Sequence, residues 1–103
     1  TAEGEQILRR LKPADYVVLL DERGSQFASI EFARHLSLME GRVNHVVFVA
    51  GGPYGFSADV YRAAHEKLSL SRMTFSHQLV RLLFTEQLYR AFTILKGQPY
   101  HHE

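Results

Sequence analysis

Cysteine is absent from the 103 residues, so the chain has no disulfides, no thiol nucleophile and no thiolate metal site. No apolar run approaches the roughly 20 residues a helix needs to cross a bilayer, and no signal-peptide pattern opens the chain. These absences make a cytoplasmic protein the expectation. Net charge is scarce too. Twelve Lys and Arg against 11 Asp and Glu leave +1, which excludes a strongly basic nucleic-acid clamp but leaves room for a local patch. Nine of the twelve cations are arginine, whose planar fork suits bidentate phosphate and base-edge contacts. The length fits one domain over residues 1–103. The chain starts at Thr1 with a helical pattern already running, and is expected to be a piece trimmed from a longer one.

The familiar catalytic and binding motifs are missing as well. The glycine loop Gly51-Gly52-Pro53-Tyr54-Gly55 lacks the lysine and hydroxyl of a phosphate-cradling P-loop, and Pro53-Tyr54 interrupts dinucleotide glycine spacing. Pro53 also removes an N–H that a phosphate would use. Such a loop either brings backbone close to an adenine or ribose or is simply a tight turn. His35, His45 and His65 are scattered, and His101-His102 is adjacent, a poor geometry for one tetrahedral ion, so no metal site is expected. No serine sits in a Gly-x-Ser-x-Gly elbow. Asp21 and Glu22 lie together at a strand end, where a solvated turn is the ordinary explanation. Any chemistry must therefore need little beyond positioning and one base, as group transfer from a reactive donor does.

What is present reads as alternating helix and strand. Residues 3–11 have helical spacing, with Ile7, Leu8 and Leu11 on one face, broken by Lys12-Pro13. Tyr16 to Leu20 is a continuous apolar run, the pattern of a strand buried on both faces; residues 21–25 then turn the chain. Ser29 is the expected N-cap of a helix reaching Glu40, with Gly41 at the C′ position. His45 to Ala50 is the second buried strand, and Ser57 caps a short helix with Asp59 in its first turn. Leu68 to Ser71 alternates as a third strand. His77 to Lys96 is the longest helix, stopped by Gly97 and Pro99. The class is α/β, with a mainly parallel sheet and helices on both faces.

In the last helix, apolar residues from Leu79 to Leu95 spread around most of the circumference. Such a helix is buried on more than one side, and a homodimer is the economical way to cover the second. Polar groups gather in three further places. Leu70 to His77 joins a strand end, a loop and a helix N-terminus, whose free N–H groups can bind a ligand. Arg90 can pair with Glu86 at i, i+4. Pro99-Tyr100-His101 puts an aromatic and a titratable base in a tail.

Those segments carry a resemblance. Tyr16 to Asp21 with Gly24, Val49-Ala50-Gly51-Gly52 with Gly55, Leu70 to Thr74, His77 to Arg81, Glu86 to Ala91 and Pro99-Tyr100-His101, in that order across the whole chain, resemble the large-subunit ribosomal RNA pseudouridine N3-methyltransferases. These belong to the SPOUT, or α/β-knot, class. The resemblance implies methyl transfer from S-adenosylmethionine to N3 of a pseudouridine in large-subunit rRNA of the ribosome, by a homodimer without metal or membrane. It implies a carboxyl-terminal trefoil knot, an exception to the rule against knots, and an amino-terminal strand-helix-strand unit that this chain lacks. It places the cofactor against Leu20, the Gly51-Gly52 loop, and Leu70, Ser71, Arg72, Met73, Thr74 and Phe75. His77, Arg90, Tyr100 and His101 would stand around the pocket. His101 would be the base, Tyr100 would orient the flipped pyrimidine, and Arg90 would meet RNA phosphate or the uracil carbonyls. The rival readings are a dimeric SPOUT module that binds RNA or the ribosome without catalysis, a SPOUT enzyme acting on tRNA, and a flavodoxin-like nucleotide binder.

Overall fold

The computed structural model describes residues 2–51, 56–71, 73 and 75–98, with residues 2–4 and 77 described by their backbone alone. Among the described residues four helices and three strands follow one another: α1 Ala2–Arg10, β1 Tyr16–Gln26, α2 Ser29–Arg42, β2 Val46–Ala50, α3 Ala58–Ala63, β3 Glu66–Ser69 and α4 His77–Leu95. The strands form one parallel sheet in the order β2-β1-β3. A central parallel strand must be apolar on both faces, and β1 is: Val17, Val18, Leu19 and Leu20 are all buried.

Alternation along β1 divides the core in two. Val18 and Leu20 meet Phe32, Ala33, Leu36 and Met39 of α2 and Phe84 and Ala91 of α4. Val17 and Leu19 face the other way, onto Val60 of α3, with Ile7, Leu8 and Leu11 from α1 and the residue after it. Helices thus cover both faces, as expected. Burying a side chain such as Leu19, which is fully enclosed, contributes about 1.5–3 kcal/mol. The β1-α2-β2 and β2-α3-β3 crossovers travel in opposite directions over opposite faces, as two crossovers of one hand must.

Four local expectations are corrected. The residues expected to turn after Leu20 instead continue β1 to Gln26. The pairing register shifts between Leu20 and Ser25, so that Leu68 stands opposite both. This return is possible because Gly24 has no side chain: a Cβ there would lie 2.5 Å from the Lys67 carbonyl carbon and oxygen. The third strand runs from Glu66 to Ser69 rather than Leu68 to Ser71, because its register is set by Leu19 and Leu20 opposite Lys67 and Leu68. Ser29 is not the N-cap of α2. Ala28 is, with its N–H donating to Glu31 Oε1 at 2.8 Å, while the Ser29 hydroxyl donates to Gln87 of α4 at 3.0 Å. Gly41 lies inside α2, which runs to Arg42, and the Val43 N–H closes it on the Met39 carbonyl at 3.0 Å.

Serine hydroxyls cap α3 and α4. Ser57 accepts from the Val60 N–H and Ser76 from the Leu79 N–H. Gly97 ends α4 with φ +71°, a left-handed conformation that glycine adopts without a Cβ penalty.

Candidate active site

In an open parallel sheet, ligands bind beyond the carboxyl ends of the strands, where neighbouring connections leave for opposite faces. Here that point lies between β1 and β2. From β1 the chain passes to α2 on one face, and from β2 to α3 on the other. Ala50, Leu20 and Leu68 form one row across the three strands. Each of the three segments singled out in the sequence leaves from this row: Leu20 closes the regular part of β1, Gly51 follows β2 directly, and Leu70 lies two residues past Leu68. The fold therefore brings their starting points to one edge.

Beyond that edge the placements differ. Ser71 and Phe75 are half-buried, and Met73 is exposed. Ser71 shapes its own loop, its Oγ accepting from the Met73 N–H at 3.0 Å while its carbonyl accepts from the Ser69 hydroxyl at 2.9 Å. Gly52, Arg72 and Thr74, together with Tyr100 and His101, lie outside the described residues. His77 is the first residue of α4. Arg90 projects from α4 and is 26% exposed, with its Nη2 donating to Glu86 Oε1 at 2.6 Å. The i, i+4 pair expected from sequence is formed.

Two clefts border this edge. One of about 460 Å³ runs along β2, reaching Leu20 and Ala50, with Arg10 and Arg81 in its lining. The other, of about 250 Å³, opens between the start of α2, the end of β3 and α4, lined by Phe27, Ser29, Ser69, Leu70 and Gln87 among others. Leu20 belongs to the first and Leu70 to the second.

The structure adds residues that motif reading passed over. Asp21 was expected in a solvated turn, yet its side chain is only 7% exposed. It accepts from the Tyr61 hydroxyl at 2.5 Å and from the Arg23 N–H at 3.0 Å. Burial works against its charge, but the Tyr61 hydroxyl, the Arg23 amide and the Arg23 and Lys67 cations outweigh it and hold its pKa below the ordinary aspartate value. The same hydrogen bond, aided by burial, raises the pKa of Tyr61. The Lys67 ammonium stands 5.6 Å over the Tyr61 ring. No local pattern could have exposed the Asp21–Tyr61 pair, whose members lie 40 residues apart.

Two histidines, His65 and His35, serve the opposite end of the sheet. The His65 N–H donates to the Val17 carbonyl at 2.8 Å and its Nδ1 accepts from the Val17 N–H at 3.0 Å. His35 Nε2 donates to Glu66 Oε1 at 2.5 Å, and the Tyr16 hydroxyl donates to Glu66 Oε2 at 2.5 Å. Among the described residues no three His, Asp or Glu side chains gather as a metal site would require. No helix described is long and apolar enough to cross a membrane.

The family described as "Predicted SPOUT methyltransferase" matches residues 1–101. The chain is 60% identical over 102 residues to the ribosomal RNA large subunit methyltransferase H of Parabacteroides distasonis, covering 98% of this chain and 65% of that protein. The protein of the same name from Bacteroides fragilis is 61% identical with the same coverage. That from Porphyromonas gingivalis is 58% identical over 104 residues, or 99% of this chain and 66% of that one. The chain thus spans about 65% of the length of the relatives it matches.

Proposed function

Because the chain belongs to the SPOUT methyltransferase family, we propose that its protein transfers a methyl group from S-adenosylmethionine to N3 of a pseudouridine in large-subunit ribosomal RNA. The observation that carries this reading is the common edge from which the Leu20, Gly51 and Leu70 segments depart, at the point where the connections of β1 and β2 diverge. The residues there suit this cofactor. Leu20 and Leu70 offer apolar surface to an adenine, and Gly51 lets backbone approach a ribose or the methionine portion. The glycine loop lacks the features of a pyrophosphate cradle.

The bound cofactor supplies an activated methyl on a sulfonium, which is transferred by in-line displacement. The protein's task is to align N3 with that methyl and to take up the N3 proton. His101 is the proposed base and Tyr100 the residue that orients the flipped pyrimidine. Arg90, already held by Glu86, contacts RNA phosphate or the uracil carbonyls, and His77 borders the pocket at the start of α4. The carboxyl-terminal segment is proposed to close the site as a trefoil knot.

A homodimer completes the reading. Leu79, Leu82, Tyr89, Phe92 and Leu95 of α4 are 40%, 66%, 57%, 37% and 42% exposed, while Phe84 and Ala91 are buried against the sheet. This second apolar side is the proposed dimer surface, and Leu82→Glu is expected to yield monomers in sedimentation.

Titration with S-adenosylmethionine followed by methyl transfer to ribosomes tests the function. Saturable binding near one site per subunit, with label entering large-subunit rRNA, is expected. His101→Ala should lose turnover with RNA affinity unchanged. Transfer to tRNA in place of ribosomes would overturn the substrate assignment, and full turnover by His101→Ala would remove the base.

A further inference from the structure

Tyr61 occupies a position that the proposed chemistry leaves unused. Its hydroxyl donates to Asp21, the first residue past Leu20, at 2.5 Å. Its ring meets Phe56 edge-on with centroids 5.8 Å apart. Phe56 in turn backs the glycine that ends β2: a Cβ at Gly51 would stand 3.0 Å from the Phe56 ring. On its other side the Tyr61 ring lies under Lys67 of β3. One side chain on α3 thus touches the end of β1 directly, the Gly51 segment through a single ring, and β3 through a cation. These are the strands whose ends frame the proposed cofactor crevice.

A hydrogen bond that merely staples a helix to a sheet would be equally at home anywhere along it. The bond between Tyr16 and Glu66 is of that kind: it joins neighbouring strands at the amino end, with His35 as a third partner. Tyr61 differs in what it spans. Asp21 and Gly51 directly follow Leu20 and Ala50, the last paired residues of adjacent strands, and no described backbone pairing joins them, since the regular β1-β2 ladder ends there.

We propose that Tyr61 is a positioning residue for S-adenosylmethionine, setting the gap between the end of β1 and the Gly51 segment through its bond to Asp21 and its contact with Phe56. This rests on the function proposed above. Tyr61 makes no claim on the reacting atoms; it acts through Asp21 and Phe56, so its loss should weaken cofactor binding without touching the chemical step.

Calorimetric titration of the chain with S-adenosylmethionine separates this from a structural staple. Tyr61→Phe, which keeps the ring and the Phe56 contact, is expected to bind about tenfold more weakly with unchanged stoichiometry, the scale of one lost charge-assisted bond. Asp21→Asn, which keeps an acceptor for the hydroxyl, should lose only about two- to threefold. Tyr16→Phe should bind as the parent chain does. In hydrogen exchange, the Gly51 and Phe56 amides should open faster in Tyr61→Phe and not in Tyr16→Phe. Unchanged affinity in Tyr61→Phe, or a fall in stoichiometry with affinity intact, overturns the positioning role while leaving the proposed function in place. No saturable binding by the parent chain overturns the function and this inference with it.

Discussion

The two ends of the sheet carry the same chemical device, a tyrosine hydroxyl donating at 2.5 Å to a carboxylate, in different mechanical settings. At the amino end Tyr16 and Glu66 belong to neighbouring strands, and His35 and the stacked His65 ring close the cluster. There the tyrosine bond reinforces a ladder that backbone pairing already makes, and His35 ties α2 to it. At the carboxyl end Tyr61 reaches from a helix to a strand terminus where regular pairing has stopped. The lesson is that a hydrogen bond's role follows from what else joins its two partners. Where the backbone already joins them it adds stability; where the ladder has stopped it sets a distance.

The sharpest way to break the carboxyl end alone is Gly24→Ala. The added Cβ would collide with the backbone of Lys67 and Leu68, which cannot yield as a flexible side chain can. We expect about 2–3 kcal/mol of destabilisation in urea unfolding. A loss below about 0.5 kcal/mol would mean that the β1 continuation does not lie on β3 in solution.

Next in size is Tyr16→Phe, expected to cost about 1–2 kcal/mol because Glu66 loses one of its two donors. Joined with Tyr61→Phe, the two losses should add to within about 0.5 kcal/mol, since the pairs share no partner. A larger coupling would show that the ends are mechanically linked.

The pH dependence separates the tyrosines from Asp21 by sign. The bond to Glu66, with burial and the nearby charge behind it, pushes the Tyr16 pKa up to about 12. Its contribution is therefore complete below the unfolded value near 10 and is lost as pH rises toward 12; Tyr61, also raised, adds to that alkaline loss. Asp21 is lowered, so its contribution is present above about pH 4 and falls away as pH drops through the folded value. In unfolding midpoints followed across pH, Tyr16→Phe should flatten the alkaline limb and Asp21→Asn the acid limb. The smallest effect is expected from Arg62→Ala, which removes an exposed ion pair with Asp59 on the outside of α3. Stability should stay within about 0.5 kcal/mol, and a larger loss would mean that α3 is held by more than Tyr61 and Val60.

What could be read in advance divides along the same line. The strand runs Tyr16 to Leu20 and His45 to Ala50, the cap at Ser57, the stop at Gly97 and the two-sided apolar α4 were all legible, because each is signalled by residues within a turn or two of one another. The strand ends that meet at the Leu20–Ala50–Leu68 row were legible for the same reason, since glycines and apolar strand runs are local marks. The continuation of β1 was hidden because Asp21 to Ser25 has turn composition, and only the proximity of β3 reveals why Gly24 is there. The third strand was displaced by two residues because alternation fixes which face a residue takes, not the partner it lies beside. Ser29 carried a sound capping signal and lost to a better partner, Gln87, on a helix that begins nearly fifty residues later. The Asp21–Tyr61 pair is the extreme case: two ordinary residues whose meaning is entirely tertiary.

The outer strands also differ in what they offer to a neighbour. β3 presents Glu66 and Lys67 among its four residues, a charged margin of the kind that discourages further pairing. β2 is Val-Val-Phe-Val-Ala, uncharged and only partly buried throughout, and among the described residues its outer ladder of N–H and C=O groups has no strand beside it in the sheet. Short, apolar, β-branched and free of proline, it has the composition that seeds cross-β growth. Handled alone at high concentration, this chain should stain with amyloid dyes after a lag, and a single lysine at Val47 should lengthen that lag.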